Sequence, residues 1–421
     1  MNERNHLIDF ARVFSMAIVV SFHALLYFIT DSAGQFEILP WAPGPILWAL
    51  SWVLAIIPIF FVAAGYANAL TYAHTRVGGQ SYLDFLATRV GRLLGPFTLF
   101  TCLFALLSSI PAWLGFSDDA IGLSQQFAML FWFLVVYLGL QALTPVLVKA
   151  FDRFGWLTML PFLLGTITVD LSASFAGNAE LAWLNLAFVW PMAHQWGIAY
   201  ERGWFRGWRI RTLLVLIALS IGLIALLVFG FGYPPAAVAW ADCLVANLLP
   251  PTFAALIMGF MQTCALGALE RLGVGKQLSA TASRRLRLAN ALTFSVYLWH
   301  IPMITLAGGI MAGLALLFPA FAPIVLSQVI WLLLTWALIV AIVPFIARLE
   351  FKLIPNLSGS ARATQTIVGF GLLFIGIFLA WRFGVVIHPR SPASTIAVAL
   401  LFSGIAISRH AVSAEFARAA R

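Results

Sequence analysis

The sequence predicts an all-α fold, a polytopic transmembrane helical bundle, and three observations carry that reading. Hydrophobic residues make up 62% of the 421-residue chain and charged residues 9%, with a mean hydropathy of +0.98, far outside the composition of soluble globular domains. Apolar runs recur along the whole length, each near the ~20 residues that a helix needs to cross a hydrocarbon core of about 30 Å. The runs are apolar on every face and rich in Leu, Ala and Phe, without the alternation over about ten residues that marks a membrane strand.

About twelve spans are expected, near 8–30, 46–72, 90–110, 126–149, 154–171, 181–200, 212–231, 242–268, 290–316, 323–346, 366–387 and 394–409. Basic residues orient them, because Lys and Arg concentrate in cytoplasmic loops. With the N-terminus inside, all 24 Lys and Arg residues except Arg382 and Arg390 fall on the cytoplasmic side. The outer loops instead carry Asp31, Glu37, Asp118, Asp119, Asp170, Glu180 and Asp242. A multi-pass protein of the cytoplasmic membrane with both termini inside is expected. The first apolar stretch is long and holds His23, so it reads as an uncleaved span and not as a secretory signal.

The formal net charge of +9 therefore reflects topology and gives no argument for nucleic acid. Cys102, Cys243 and Cys264 are too few and too scattered for a disulfide framework or a zinc site, and no metal is expected. No internal repeat is visible, which weakens an inverted-repeat transporter architecture. The basic connection 269–289 suits anionic lipid headgroups, with an anionic cytoplasmic ligand as the other reading.

Within the first span, Arg12 and His23 stand where lipid normally excludes ionisable groups, and such residues are usually functional. At about 100° and 1.5 Å per residue they fall within about 20° of one helix face and roughly 16 Å apart. Taken singly, Arg12 also fits a side chain that snorkels to the interface, and His23 fits a packed, hydrogen-bonded histidine. Taken jointly, they match an extended pantetheine arm running between a nucleotide and its thioester. A coenzyme A donor would then bridge the pair, its phosphates among cytoplasmic arginines and its thioester at an imidazole suited to general-base work.

These residues resemble membrane-bound acyltransferase family 3, over most of 7–355. Asp9, Arg12 and His23 reproduce its first signature, with Ile8 beside Asp9. Phe60, Phe61 and Gly65 are similar to its paired phenylalanines and glycine, although Ala64 replaces a serine; Ala63, Ala64 and Gly65 equally suit close helix packing. Arg89, Arg92 and Pro96 resemble the arginine-rich entry to the third span, and Trp132, Tyr137 and Pro145 a pattern in the fourth. Ser295, Tyr297, Leu298, His300 and Pro302 resemble a late signature, and Glu350 with Pro355 the end of the family core. His194 matches no signature and reads as structural.

The resemblance implies an acyl-CoA-dependent O-acyltransferase with no permanently bound cofactor. His23 is the catalytic histidine, as base or acyl carrier, and Arg12 its partner arginine. Arg12, Arg89 and Arg92 hold the donor, while Asp9, Tyr297 and His300 support or line the cavity. The donor is acyl-CoA, by resemblance acetyl-CoA, and the acceptor a saccharide or another hydroxyl compound. The expected organisation is a ten-span acyltransferase-like domain over 1–355, followed by two additional helices and a short cytoplasmic tail over 356–421. No appended esterase-like domain is expected, and the acyl group would then be delivered directly or handed to a separate partner. The rival reading is a transporter or exporter of a small molecule or glycan precursor, whose path the same polar groups would line.

Overall fold

A computed structural model describes residues 5–32, 35–355 and 359–412. In chain order it comprises α1 (His6–Leu25), a hairpin of β1 (Tyr27–Ser32) and β2 (Gln35–Pro40), α2 (Pro45–Leu54), α3 (Ile57–Val77), α4 (Tyr82–Trp113), α5 (Ser117–Ala128) and α6 (Phe131–Phe154). There follow α7 (Leu160–Ala176), α8 (Val189–Glu201), the single turn α9 (Trp204–Gly207), α10 (Ile210–Phe231), α11 (Phe253–Arg271), α12 (Ala280–Leu317) and the short α13 (Ala322–Val325). Last come α14 (Gln328–Leu353), α15 (Ala363–Phe383) and α16 (Pro392–Ser408).

Among the described residues, nine helical stretches are long and apolar enough to cross a membrane. Three places account for the difference from twelve. The expected 126–149 and 154–171 join as one 46-residue stretch, Phe131–Ala176, through a 3-10 turn at Gly155–Met159. The expected 181–200 divides into a 3-10 segment, Ala179–Ala187, and the 13-residue α8. The last expected span is the 17-residue α16.

Two local differences from the sequence reading have clear causes. The first span stops at Leu25, and the chain continues as an antiparallel hairpin whose register runs from Tyr27 opposite Pro40 to Ser32 opposite Gln35. The segment 242–252 is not helical, because Pro250 and Pro251 supply no backbone N–H to a helix. α11 starts only at Phe253, where the Thr252 hydroxyl caps it by accepting from Ala255 N at 3.4 Å.

The chain divides into two compact units. The first comprises 1–69 with 146–341. Its α1 begins under an Asn5 cap, whose side-chain oxygen accepts from Leu7 N at 3.0 Å and Ile8 N at 3.1 Å. The Asn5 amide also donates to Glu270 Oε1 at 3.3 Å, and the Tyr200 hydroxyl donates to the other oxygen of that carboxylate. The start of α1 is thereby fastened to the ends of α8 and α11. α8 is buried from Val189 to Tyr200 and crosses α3 backbone to backbone. A Cβ on Gly65 would lie 2.0 Å from His194 O, and one on Gly197 2.0 Å from Val62 O. Close packing is thus what the small residues around Gly65 provide.

The second unit comprises 70–145 with 342–421. A capping box starts α4, with Ser81 and Asp84 reciprocally bonded, and the Asp84 carboxylate also accepts from Ala361 N at 2.6 Å. Farther along, α4 meets α14 closely enough that a Cβ on Gly95 would lie 2.1 Å from Glu350 O. α15 and α16 pair through Gly369, Gly376 and Gly404, each facing a residue of the opposite helix.

Candidate active site

α1 and α12 build the site. The two helices are joined near the start of α1, where Asn290 Nδ2 donates to Asp9 Oδ1 at 2.6 Å. Toward the other end of α1 they meet again through two imidazoles. His300, fully buried on α12, places Nε2 3.2 Å from Nδ1 of the half-buried His23. The two rings are 5.2 Å apart and tilted by 36°.

The remaining nitrogen of His300 fixes the direction of this bond. His300 Nδ1 lies 2.8 Å from Tyr297 O and 3.2 Å from Val296 O. Carbonyl oxygens only accept, so Nδ1 carries the hydrogen, and the Nε2 of a neutral His300 is an acceptor. The bond between the rings then runs from His23 Nδ1–H to His300 Nε2. This network assigns the proton on His23 to Nδ1 and leaves Nε2 with a free lone pair. An imidazole in that state can take a proton or act as a nucleophile.

α14 steadies both helices around the pair. Gln328 Nε2 donates to Leu25 O at 3.3 Å and Tyr27 O at 3.4 Å. Trp336 Nε1 donates to Ser21 Oγ at 3.1 Å, and Trp331 Nε1 to Ile304 O at 3.0 Å. An aromatic wall adjoins His23: Phe22 lies edge-on to it at 5.5 Å and to Trp240 at 5.0 Å, and Trp41 lies 5.8 Å beyond. Burial, reinforced by the neighbouring Asp242 carboxylate, pushes the Cys243 thiol up.

The residues singled out from sequence fall in three places. His23, His300 and Tyr297 come together, with the Tyr297 ring 6.3 Å from that of His300. Asp9 and Arg12 occupy the opposite end of α1, about 16 Å from His23 along the helix axis for the arginine. Asp9 is buried and bound to Asn290, whereas the half-buried Arg12 has no hydrogen bond or ion pair among the described residues. Arg89 and Arg92 belong to the second unit. There Arg89 Nη2 donates to Thr71 Oγ1 at 2.6 Å, its guanidinium lies 5.6 Å from the Phe85 ring centre, and Arg92 is exposed.

His194 pairs with a residue that the sequence reading passed over. Its Nε2 lies 3.2 Å from Asn68 Nδ2, and both side chains are buried. Asn68 and Asn290 carried a usable signal, an amide side chain within an apolar helix. Trp240 carried none, as one of 16 tryptophans.

The family model Acyl_transf_3, described as an acyltransferase domain, matches residues 5–347. No curated protein and no solved structure matches the chain. The matched stretch takes in α1, α12 and the part of α14 that braces them, so the two facing histidines lie inside it, and the chain belongs to acyltransferase family 3, the membrane acyltransferases.

Proposed function

We propose that the protein transfers an acyl group, in the simplest case acetyl, from acyl-CoA to a hydroxyl of a saccharide or similar acceptor. The observation that carries this reading is the contact between His300 Nε2 and His23 Nδ1, which directs the free lone pair of His23 to Nε2. In direct transfer, His23 Nε2 takes the proton of the acceptor hydroxyl as that oxygen attacks the thioester carbonyl. The carbon–sulfur bond then breaks, the imidazolium returns the proton to the departing thiolate, and ester and free coenzyme A leave. In the two-step route the same lone pair attacks the thioester carbon, the carbon–sulfur bond breaks and coenzyme A departs as thiolate. The acceptor oxygen then attacks the acyl carbon, the carbon–nitrogen bond breaks to restore neutral His23, and the acceptor's proton goes to the thiolate. Both routes need an unprotonated Nε2.

His300 supports the imidazolium by accepting its Nδ1–H. Arg12, without a protein partner among the described residues, holds a donor phosphate by charge-assisted hydrogen bonds. Arg89 and Arg92 are further donor-binding residues in this reading. The distribution of basic residues favours a cytoplasmic donor, the cytoplasmic membrane as location, and both termini inside. The family match ends at residue 347, which supports an acyltransferase domain over 1–355 with 356–421 as an addition.

The test is thermal unfolding of purified wild type titrated with acetyl-CoA and coenzyme A, together with coenzyme A release on adding acceptor. A ligand that binds only the folded state stabilises it by about 2.7 kcal/mol at a hundredfold its Kd. Saturable stabilisation and thiol release are expected. Substrate uptake into vesicles without thiol release would overturn the reading in favour of transport.

A further inference from the structure

Residues 232–252 pack against α1 and α2 without forming a helix, and polar bonds secure them at many points. Trp52 Nε1 donates to Pro235 O at 2.9 Å, Ala237 N to Ser51 Oγ at 2.9 Å, and Asn247 Nδ2 to Pro234 O and Ala236 O. Asp242 accepts from Gly44 N at 2.9 Å and Trp48 Nε1 at 3.2 Å, and Ala241 N donates to Trp41 O at 3.2 Å. A reciprocal pair of bonds between Trp240 and Cys243 tightens the turn between them.

This segment pairs the indole N–H groups of Trp48 and Trp52 and leaves that of Trp240 alone. Trp240 is 8% exposed, and its Nε1 is buried with no partner among the described residues. Buried donors are almost always paired, because desolvating one without a partner is costly. Here the backbone of residues 240–243 is fixed and the ring is gripped between Phe22 and Trp41. The donor is therefore held in place beside the residue next to His23.

We infer that Trp240 binds the acceptor, its indole N–H donating to an oxygen of a hydroxyl-rich ring compound. The half-exposed Trp41 continues the wall. Aromatic rings with a polar handle suit this ligand class, since they cover the apolar C–H face of a saccharide while the N–H engages its oxygens. The inference rests on the reading of His23 as the transfer residue. It places acceptor recognition on the 232–252 segment and separates it from Arg12, where the donor is held.

The experiment uses the full-length protein in lipid nanodiscs with radiolabelled acetyl-CoA. The acceptor is the envelope fraction of cells that lack the protein, added in graded amounts. Trp240→Phe keeps an aromatic ring and removes the N–H. It should raise the half-saturating amount of envelope fraction roughly three- to tenfold, the range for one lost neutral hydrogen bond, while acetyl-CoA stabilises the variant as it does wild type. Trp48→Phe removes a paired N–H of the same segment and should leave half-saturation unchanged. Replacing Trp240 by benzothienylalanine, which retains the bicyclic shape without the N–H, should reproduce the Phe result and replaces it where the Phe variant does not fold. Unchanged half-saturation in both Trp240 variants, or an equal rise in Trp48→Phe, overturns the inference. A wild type that binds acetyl-CoA and transfers label confines that failure to Trp240. A wild type that does neither takes down the acyl-CoA reading and this inference with it.

Discussion

His300 Nε2 stands 3.2 Å from His23 Nδ1 although 277 residues separate them in the chain. Because His300 spends its own Nδ1–H on the Tyr297 carbonyl, it can only accept from His23, and this orientation defines the roles of the two rings. In the proposed reaction His23 acts through Nε2, and His300 is a positioning residue behind it.

The first prediction concerns His23 itself. His23→Ala should lower acyl transfer by the 10²- to 10⁴-fold typical of a lost general base, or more if the imidazole is acylated during turnover. Stabilisation by acetyl-CoA should be retained within about twofold, under the ~1.4 kcal/mol of a tenfold change. Coenzyme A release and thermal shift on the same preparation check both parts, and a variant that binds donor and still turns over normally would remove His23 from the reaction.

His300 should behave differently from His23. His300→Ala deletes the acceptor for His23 Nδ1–H and frees the ring to take the other tautomer, so kcat should fall, by roughly tenfold to a hundredfold for about 1.4–2.8 kcal/mol. KM for the donor should change little. His300→Gln, whose side-chain carbonyl can accept the same hydrogen, should recover part of the rate. Equal loss in both variants would mean that His300 contributes packing and not proton placement.

What could be read in the sequence follows from which forces are local. The Arg12–His23 spacing is a property of one helix and was visible at once. The late motif containing His300 was visible as well, but its contact with His23 depends on how α1 and α12 pack, which no local pattern records. The sequence reading drew a span through 242–252 because averaged hydropathy passes over Pro250 and Pro251, whose missing N–H groups delay the helix to Phe253. Trp240 acquires significance only from its ring contacts in the folded chain and from the partner its N–H lacks among the described residues. The small residues of the Phe60–Gly65 stretch were legible as a packing surface, and the crossing with α8 bears this out at Gly65.

That crossing yields a stability prediction. A Cβ on Gly65 would sit 2.0 Å from His194 O, a backbone atom on a buried helix that has no room to retreat. Gly65→Ala should therefore destabilise the fold by at least the ~1–3 kcal/mol usual for overpacking and lower the yield of folded protein. Gly222→Ala makes the comparison, since nothing lies within 4 Å of the Cβ position there. Thermal unfolding in a single detergent reads the difference, and equal melting temperatures would show that α3 and α8 separate readily.

Arg12 supplies the last prediction, because its position and its lack of a partner among the described residues lead to opposite expectations for stability and binding. A charged side chain that serves the fold is paired, and removing it leaves its partner buried and unpaired at a cost of about 3–5 kcal/mol. Arg12 has no ion pair or hydrogen bond among the described residues, whereas Asp9, one turn earlier on α1, is tied to Asn290. Arg12→Ala should accordingly leave the melting temperature of the unliganded protein nearly unchanged, while Asn290→Ala should lower it through a lost bond to a carboxylate worth about 1.5–3 kcal/mol. For acetyl-CoA the order reverses. Arg12→Ala should weaken donor stabilisation roughly tenfold or more in apparent Kd, the value of one charge-assisted bond to a phosphate, and Arg12→Lys should restore only part of it, since an ammonium lacks the two-pronged geometry of the guanidinium. A drop in unliganded stability with donor affinity intact would make Arg12 a fastening of α1 to the membrane interface, and the donor phosphates would then have to be held elsewhere.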